Sequence, residues 1–171
     1  MVKNSRDAND SCKESCISYN NIPKNLKAII QYHDGELRIA KKTGDKLLEG
    51  EIYGNLGNAY YSHADFQKAI RYHERELEIA RKVGDVSKEG VAYGNLGCNY
   101  QGLGDFQKAV HYHDLCLEIT RKVGDVSSEG KAYASLGSDY HGLGDFQKST
   151  GRSLPGINHL GPVAWLKGSS S

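Results

Sequence analysis

The chain lacks most of what marks a membrane, nucleic-acid or disulfide-built protein. No apolar run approaches the roughly 18 residues that a bilayer span requires, so no membrane insertion is expected. A charge excess of one sign is also missing. Twenty-two Lys and Arg balance 21 Asp and Glu for a net charge of +1, without the clustered positive excess of a nucleic-acid binder. Four cysteines in 171 residues are too few and too irregularly placed for a disulfide scaffold. The opening Met-Val-Lys-Asn-Ser-Arg-Asp leads into no apolar stretch of the kind a signal peptide carries. The composition therefore reads as a reduced, cytoplasmic protein. Alternation of period two is absent as well, so no strand is expected.

What is present is repetition. Offset by 40 residues, Glu49–Asp85 matches Glu89–Asp125 at 23 of 37 positions, and Val86–Lys108 matches Val126–Lys148 at 16 of 23. The three phenylalanines, Phe66, Phe106 and Phe146, hold one repeat position. Leu26–Asp45 aligns with Phe66–Asp85, which adds a half repeat in front. The array is divided into a half repeat at 24–45, repeats at 46–85 and 86–125, and a truncated repeat at 126–148.

Each unit reads as two helices. Tyr93, Leu96, Gly97 and Tyr100 fall on one face of a 3.6-residue period. That helix opens after Asp85, a good N-cap, and closes at Gly102-Leu103-Gly104. The second opens at Asp105, carries Ala109, Tyr112, His113, Cys116, Leu117 and Ile119, and ends at Arg121-Lys122 before Gly124. Glu78 and Lys82 form an i,i+4 pair on the solvent face of its counterpart. Neither helix can bury its apolar stripe alone, so neighbouring units must stack. Gly57, Gly97 and Gly137 allow close approach within a hairpin, Tyr53 and Tyr60 with their equivalents fill the interface, and each Phe closes the hairpin's open end.

Tyr93-x-x-Leu96-Gly97-x-x-Tyr100 followed by Ala109 resembles the tetratricopeptide repeat, with Tyr for the usual Trp and His113 for the usual Phe. The longer unit, with Gly54-Asn55-Leu56-Gly57-Asn58 and Tyr72-His73, is similar to the LGN/Pins (G-protein-signaling modulator) polarity adaptors and to tetratricopeptide repeat protein 28. The resemblance implies an all-α solenoid of stacked antiparallel hairpins, about seven helices over 24–146.

Both ends depart from the pattern. In residues 1–23, a degenerate segment, Lys13, Cys16, Ile17 and Asn20 stand where Tyr, Leu, Gly and Tyr recur. After Lys148 the identity stops, and Gly151, Pro155, Gly156, Gly161 and Pro162 cannot sustain a long helix. A disordered tail is expected over 149–171. The last first-type helix is expected to run from Val126 to His141, without its second helix, as in a truncated or mis-spliced product, with an unrelated tail as the alternative. Its stripe of Tyr133, Leu136 and Tyr140 is then an association site for another copy of the chain.

No catalytic constellation, cofactor or metal site emerges. Gly-x-Ser-x-Gly, the phosphate-loop pattern and His-Glu-x2-His are all absent. His33, His73 and His113 recur every 40 residues, but stacked helices lie about 10 Å apart, too far for shared ligation. They read as packed substitutes for an aromatic ring. Cys12 and Cys16 have i,i+4 spacing but no further ligands at zinc spacing.

The resemblance implies a concave surface lined by the first helices. On it fall Glu51, Gly54, Asn58 and Tyr61, then Val91, Gly94, Cys98 and Gln101, then Lys131, Ala134, Ser138 and His141, with Asn55 and Asn95 at the edge. Side-chain amides there can bond both N–H and C=O of an extended peptide. The carboxylate clamp of chaperone-binding repeats would fall on Gly54, Asn58, Asn95, Lys131 and Ser135, and it lacks two of its three cations here. The expected function is a protein–protein scaffold of LGN/Pins type that binds a peptide segment of a partner. The alternative is a structural fragment of a larger repeat protein that binds nothing.

Overall fold

The computed structural model describes residues 26–150, with side chains described through 144. Six helices fill this span: α1 Leu26–Thr43, α2 Lys46–Ser62, α3 Phe66–Val83, α4 Val86–Gly102, α5 Phe106–Val123 and α6 Val126–Thr150. No strand occurs among the described residues. Consecutive helices pack against one another, and α2 touches α4 as α4 touches α6. The first helices thus form one layer and α1, α3 and α5 the other. This is the all-α solenoid that the periodicity implies.

Local chemistry sets the helix starts. Asp45, Asp65, Asp85 and Asp105 each accept a hydrogen bond from the backbone N–H three residues on, satisfying a donor that would otherwise have no partner. Gly84 and Gly124 close α3 and α5 in the left-handed region, at φ 73° and 76°. At the turn inside each unit Gly104 has φ 77°, whereas its equivalent Ala64 is forced to φ 59°. Glu78 and Lys82 form the expected pair, at 2.7 Å.

Packing explains the glycines and aromatics together. A Cβ on Gly57 would come within 2.5 Å of the His73 ring, and one on Gly97 within 2.5 Å of the His113 ring. The repeating histidine therefore sits in a notch cut by the repeating glycine. Beside it Tyr72 stacks on Tyr60 and Tyr112 on Tyr100, both at 5.3 Å between centroids. Phe66 differs from its expected role. It packs edge-on to Tyr61 and also against Gly102 of the next unit, as Phe106 does against Gly142. These rings join successive units rather than only closing one hairpin. Arg81 does the same from the far end of α3, donating Nε to Glu89 at 3.0 Å and bonding the Tyr93 hydroxyl.

The C-terminal side corrects two expectations. There are six helices among the described residues rather than about seven, and the last first-type helix does not stop at His141. It runs unbroken to Thr150, through Gly142-Leu143-Gly144. The same seven residues, Gly102–Lys108 and Gly142–Lys148, make a turn once and a helix once. After Lys108 comes an apolar face that folds back on α4, and the sequence from Ser149 does not repeat it. Without that repeated face the local propensity continues the helix to Thr150, and Leu143 is buried where Leu103 is exposed. The expected N-terminal segment 1–23, and the tail apart from the end of α6, lie outside the described residues.

Candidate peptide-binding groove

Between α4 and α6, floored by α5, runs a groove of about 510 Å³. One wall is Ser87, Val91, Gly94 and Asn95 of α4. The other is Ser128, Lys131 and Ser135 of α6, with Cys116, Ile119 and Val123 of α5 below. Val91 and Val123 are exposed apolar residues facing this space, and Lys131 is an exposed cation beside them. Gly94 keeps its wall low, since a Cβ there would lie 3.4 Å from Cys116 Sγ.

Of the two cysteines in the groove lining, Cys98 is disulfide-bonded, which departs from the reduced protein expected, and Cys116 is free. Burial pushes the Cys116 thiol up to about 11, so at neutral pH it is a protonated, unreactive thiol. Asp125, at the groove mouth, is held below the ordinary carboxylate range, first by hydrogen bonds from Ser128 and least by Lys131. No cluster of three metal-ligating side chains occurs among the described residues. No helix there is long and apolar enough to cross a membrane.

Of the residues placed on the concave face from sequence, Val91, Gly94, Asn95, Cys98 and Lys131 line this groove. Asn95 is not projected freely into it, being 4% exposed with Nδ2 3.5 Å from His73 Nδ1. Gln101 turns away to donate to Asp139 Oδ1 at 2.7 Å. Tyr61 is buried against Phe66. Asn55 and Asn58 are half-buried on α2, Ser138 is half-buried and His141 exposed on α6, all away from the groove lining. Ser87, Val123 and Ser128 were missed. Ser87 and Ser128 lie in first turns, where a reading of the Tyr-Leu-Gly-Tyr stripe does not reach, and Val123 belongs to the opposite layer.

Beneath the groove lie two buried polar knots. His73 Nδ1 is 2.9 Å from Glu76 Oε2. His113 Nδ1 is 2.6 Å from Asp139 Oδ2, the carboxylate that also takes the Gln101 bond. Asp139 is the one fully buried acid among the described residues, and it ties α4, α5 and α6 together.

Tetratricopeptide-repeat models match residues 24–82 and 91–123, the segments that carry these paired helices. The chain is a tetratricopeptide repeat protein. No curated protein matches it. Tetratricopeptide repeats generally mediate protein–protein interaction.

Proposed function

We propose that the repeat protein is an interaction scaffold that takes an extended partner segment into the groove between α4 and α6. The observation that carries this is the joint exposure of Val91, Val123 and Lys131 onto one concave space. Two valines offer walls for a small aliphatic side chain, and the ammonium of Lys131 selects an acidic group near it. The hydroxyls of Ser87 and Ser128 at the rim suit the backbone groups of an extended strand. The 40-residue unit and its Gly-Asn-Leu-Gly run support an adaptor role of LGN/Pins kind, in the cytoplasm. The near-zero net charge supports a protein partner over a nucleic acid.

The test is to pan a phage-displayed random peptide library on the protein and on its Val91→Glu and Lys131→Glu variants. Enriched peptides should carry an aliphatic residue beside an acidic one. Lys131→Glu should weaken them about tenfold or more, the scale of one charge-assisted hydrogen bond. Failure to enrich any peptide, or equal binding to all three proteins, would refute the proposal and favour a fragment with no binding function.

A further inference from the structure

Two helices of this chain each show a bare face, and the two faces are complementary halves of an interface that the chain builds twice within itself. In the α4–α5 hairpin Tyr112 stacks on Tyr100 with rings 3° from parallel, the His113 ring occupies the notch at Gly97, and Ile119 fills the space at Gly90. The α2–α3 hairpin repeats this with Tyr72 on Tyr60, His73 at Gly57 and Ile79 at Gly50.

By the 40-residue offset, Tyr32, His33 and Ile39 of α1 hold the places of Tyr112, His113 and Ile119. Tyr32 is 63% and Ile39 61% exposed, while His33 between them is 7% exposed and lies 2.9 Å from the Glu36 carboxylate. On α6, Gly130, Tyr133, Gly137 and Tyr140 hold the places of Gly90, Tyr93, Gly97 and Tyr100. There Tyr133 is 47% and Tyr140 39% exposed, and a Cβ on Gly130 or Gly137 would meet nothing within 4 Å. The notches are cut and empty. Because α6 runs straight through Gly144, the described chain does not turn back across them.

We infer that α6 of one molecule docks on α1 of a second copy, rebuilding the hairpin between chains. A second copy is the occupant that the residues specify. The tyrosine ring and the isoleucine that α6 is shaped to receive are the ones α1 leaves bare, and His33 lies between them in the order and spacing of the internal hairpins. One position departs from the template: Ala134 stands where Gly54 and Gly94 stand. A Cβ at Gly54 would come within 2.6 Å of the Glu76 carboxylate, so the Glu36 carboxylate must turn aside at Ala134. Its side chain is 34% exposed, against 7% for Glu76, which leaves it room to move. The contact is heterologous, α6 to α1. Every added copy presents a fresh α6, so the assembly grows head to tail and does not close as a two-fold dimer would. This inference is independent of the peptide groove.

The test is light scattering on the full chain over a concentration series, with variants of each face. The wild type should rise past twice its 18.8 kDa mass. Tyr32→Ala with Ile39→Glu, which spoils the α1 face, and Gly137→Leu, which fills a notch on α6, should each stay monomeric. Their equimolar mixture should form a dimer and stop, because each supplies the face that the other lacks. Gly137→Ala guards against misfolding: it should leave the helical dichroism intact or stronger, yet reduce association by colliding with the partner's His33. If the α1 variant associates as the wild type does, α6 pairs with α6 and the inference fails. A wild type that remains monomeric throughout also overturns it, the faces then being covered by the chain's own residues outside 26–150 or by nothing.

Discussion

His113 and Asp139 meet across α5 and α6 at 2.6 Å, and this pair replaces one that the preceding unit makes within a single helix. In α3 the histidine partner is Glu76, three residues on, and the residue equivalent to Asp139 is the neutral Asn99. In α5 the position three residues on is Cys116. The carboxylate has moved from its own helix to the next one, so His113 keeps an acid as His33 keeps Glu36 and His73 keeps Glu76. Where the acid sits decides what it holds: Glu76 steadies its own helix, and Asp139 fastens α6 to the array.

That exchange is reversible by mutation. Asp139→Asn should destabilise the protein by about 3 kcal/mol in urea unfolding, the cost of removing one member of a buried pair. Adding Cys116→Glu should restore most of the loss, since Gly94 leaves the same gap that Gly54 gives Glu76. No recovery in the double variant would mean that the two units hold their histidines by different means.

The two halves of this arrangement were unequally legible in sequence. The aspartate N-caps act within four residues, so a linear reading finds them. The histidines follow from the repeat, and their burial agrees with the packed aromatic role assigned to them. The carboxylate of His113 does not follow, because Asp139 lies 26 residues away and only the stacked geometry brings them together. The groove was half legible for a related reason. A helical face can be counted out by period, but the period does not say that Phe66 covers Tyr61 or that Asp139 captures Gln101. The straight course of α6 was illegible locally, since Gly142–Lys148 repeats Gly102–Lys108 letter for letter.

Glycine should be costly to replace where a histidine fills its notch. Gly97→Ala should lower the melting temperature although alanine is the better helix former, because its Cβ would stand 2.5 Å from the His113 ring. The gain in propensity is about 1 kcal/mol, which an overpacked core typically cancels at 1–3 kcal/mol. Gly57→Ala should behave likewise against His73. A rise in melting temperature for both would show that the notch is loose.

Ala64 is strained where its equivalent is glycine. Ala64→Gly should stabilise the protein by about 0.5–1 kcal/mol, the relief of a left-handed alanine less the added freedom of the unfolded chain. Thermal unfolding measures it directly. A loss of stability would indicate that Ala64 makes a contact worth more than its backbone costs.

The Cys116 thiol sets an alkaline signature. Its native ionisation is raised to about 11 from 9.0, so its contribution to stability is complete below pH 9 and is lost as pH rises through about 11. Iodoacetamide should label Cys116 slowly at neutral pH and markedly faster only near pH 11. In Cys116→Ala the loss of stability between those values should shrink. Rapid labelling of native Cys116 at pH 8 would contradict the burial that shapes the groove floor.

The role of the groove is settled by mapping backbone amide shifts while a panned peptide is titrated into isotope-labelled protein. The account predicts shifts concentrated in residues 87–98 and 124–135, the two walls around Val91 and Lys131, with the Tyr53, Tyr60 and Tyr72 cluster unchanged. Shifts confined to that tyrosine cluster, or spread evenly over all six helices, would contradict it.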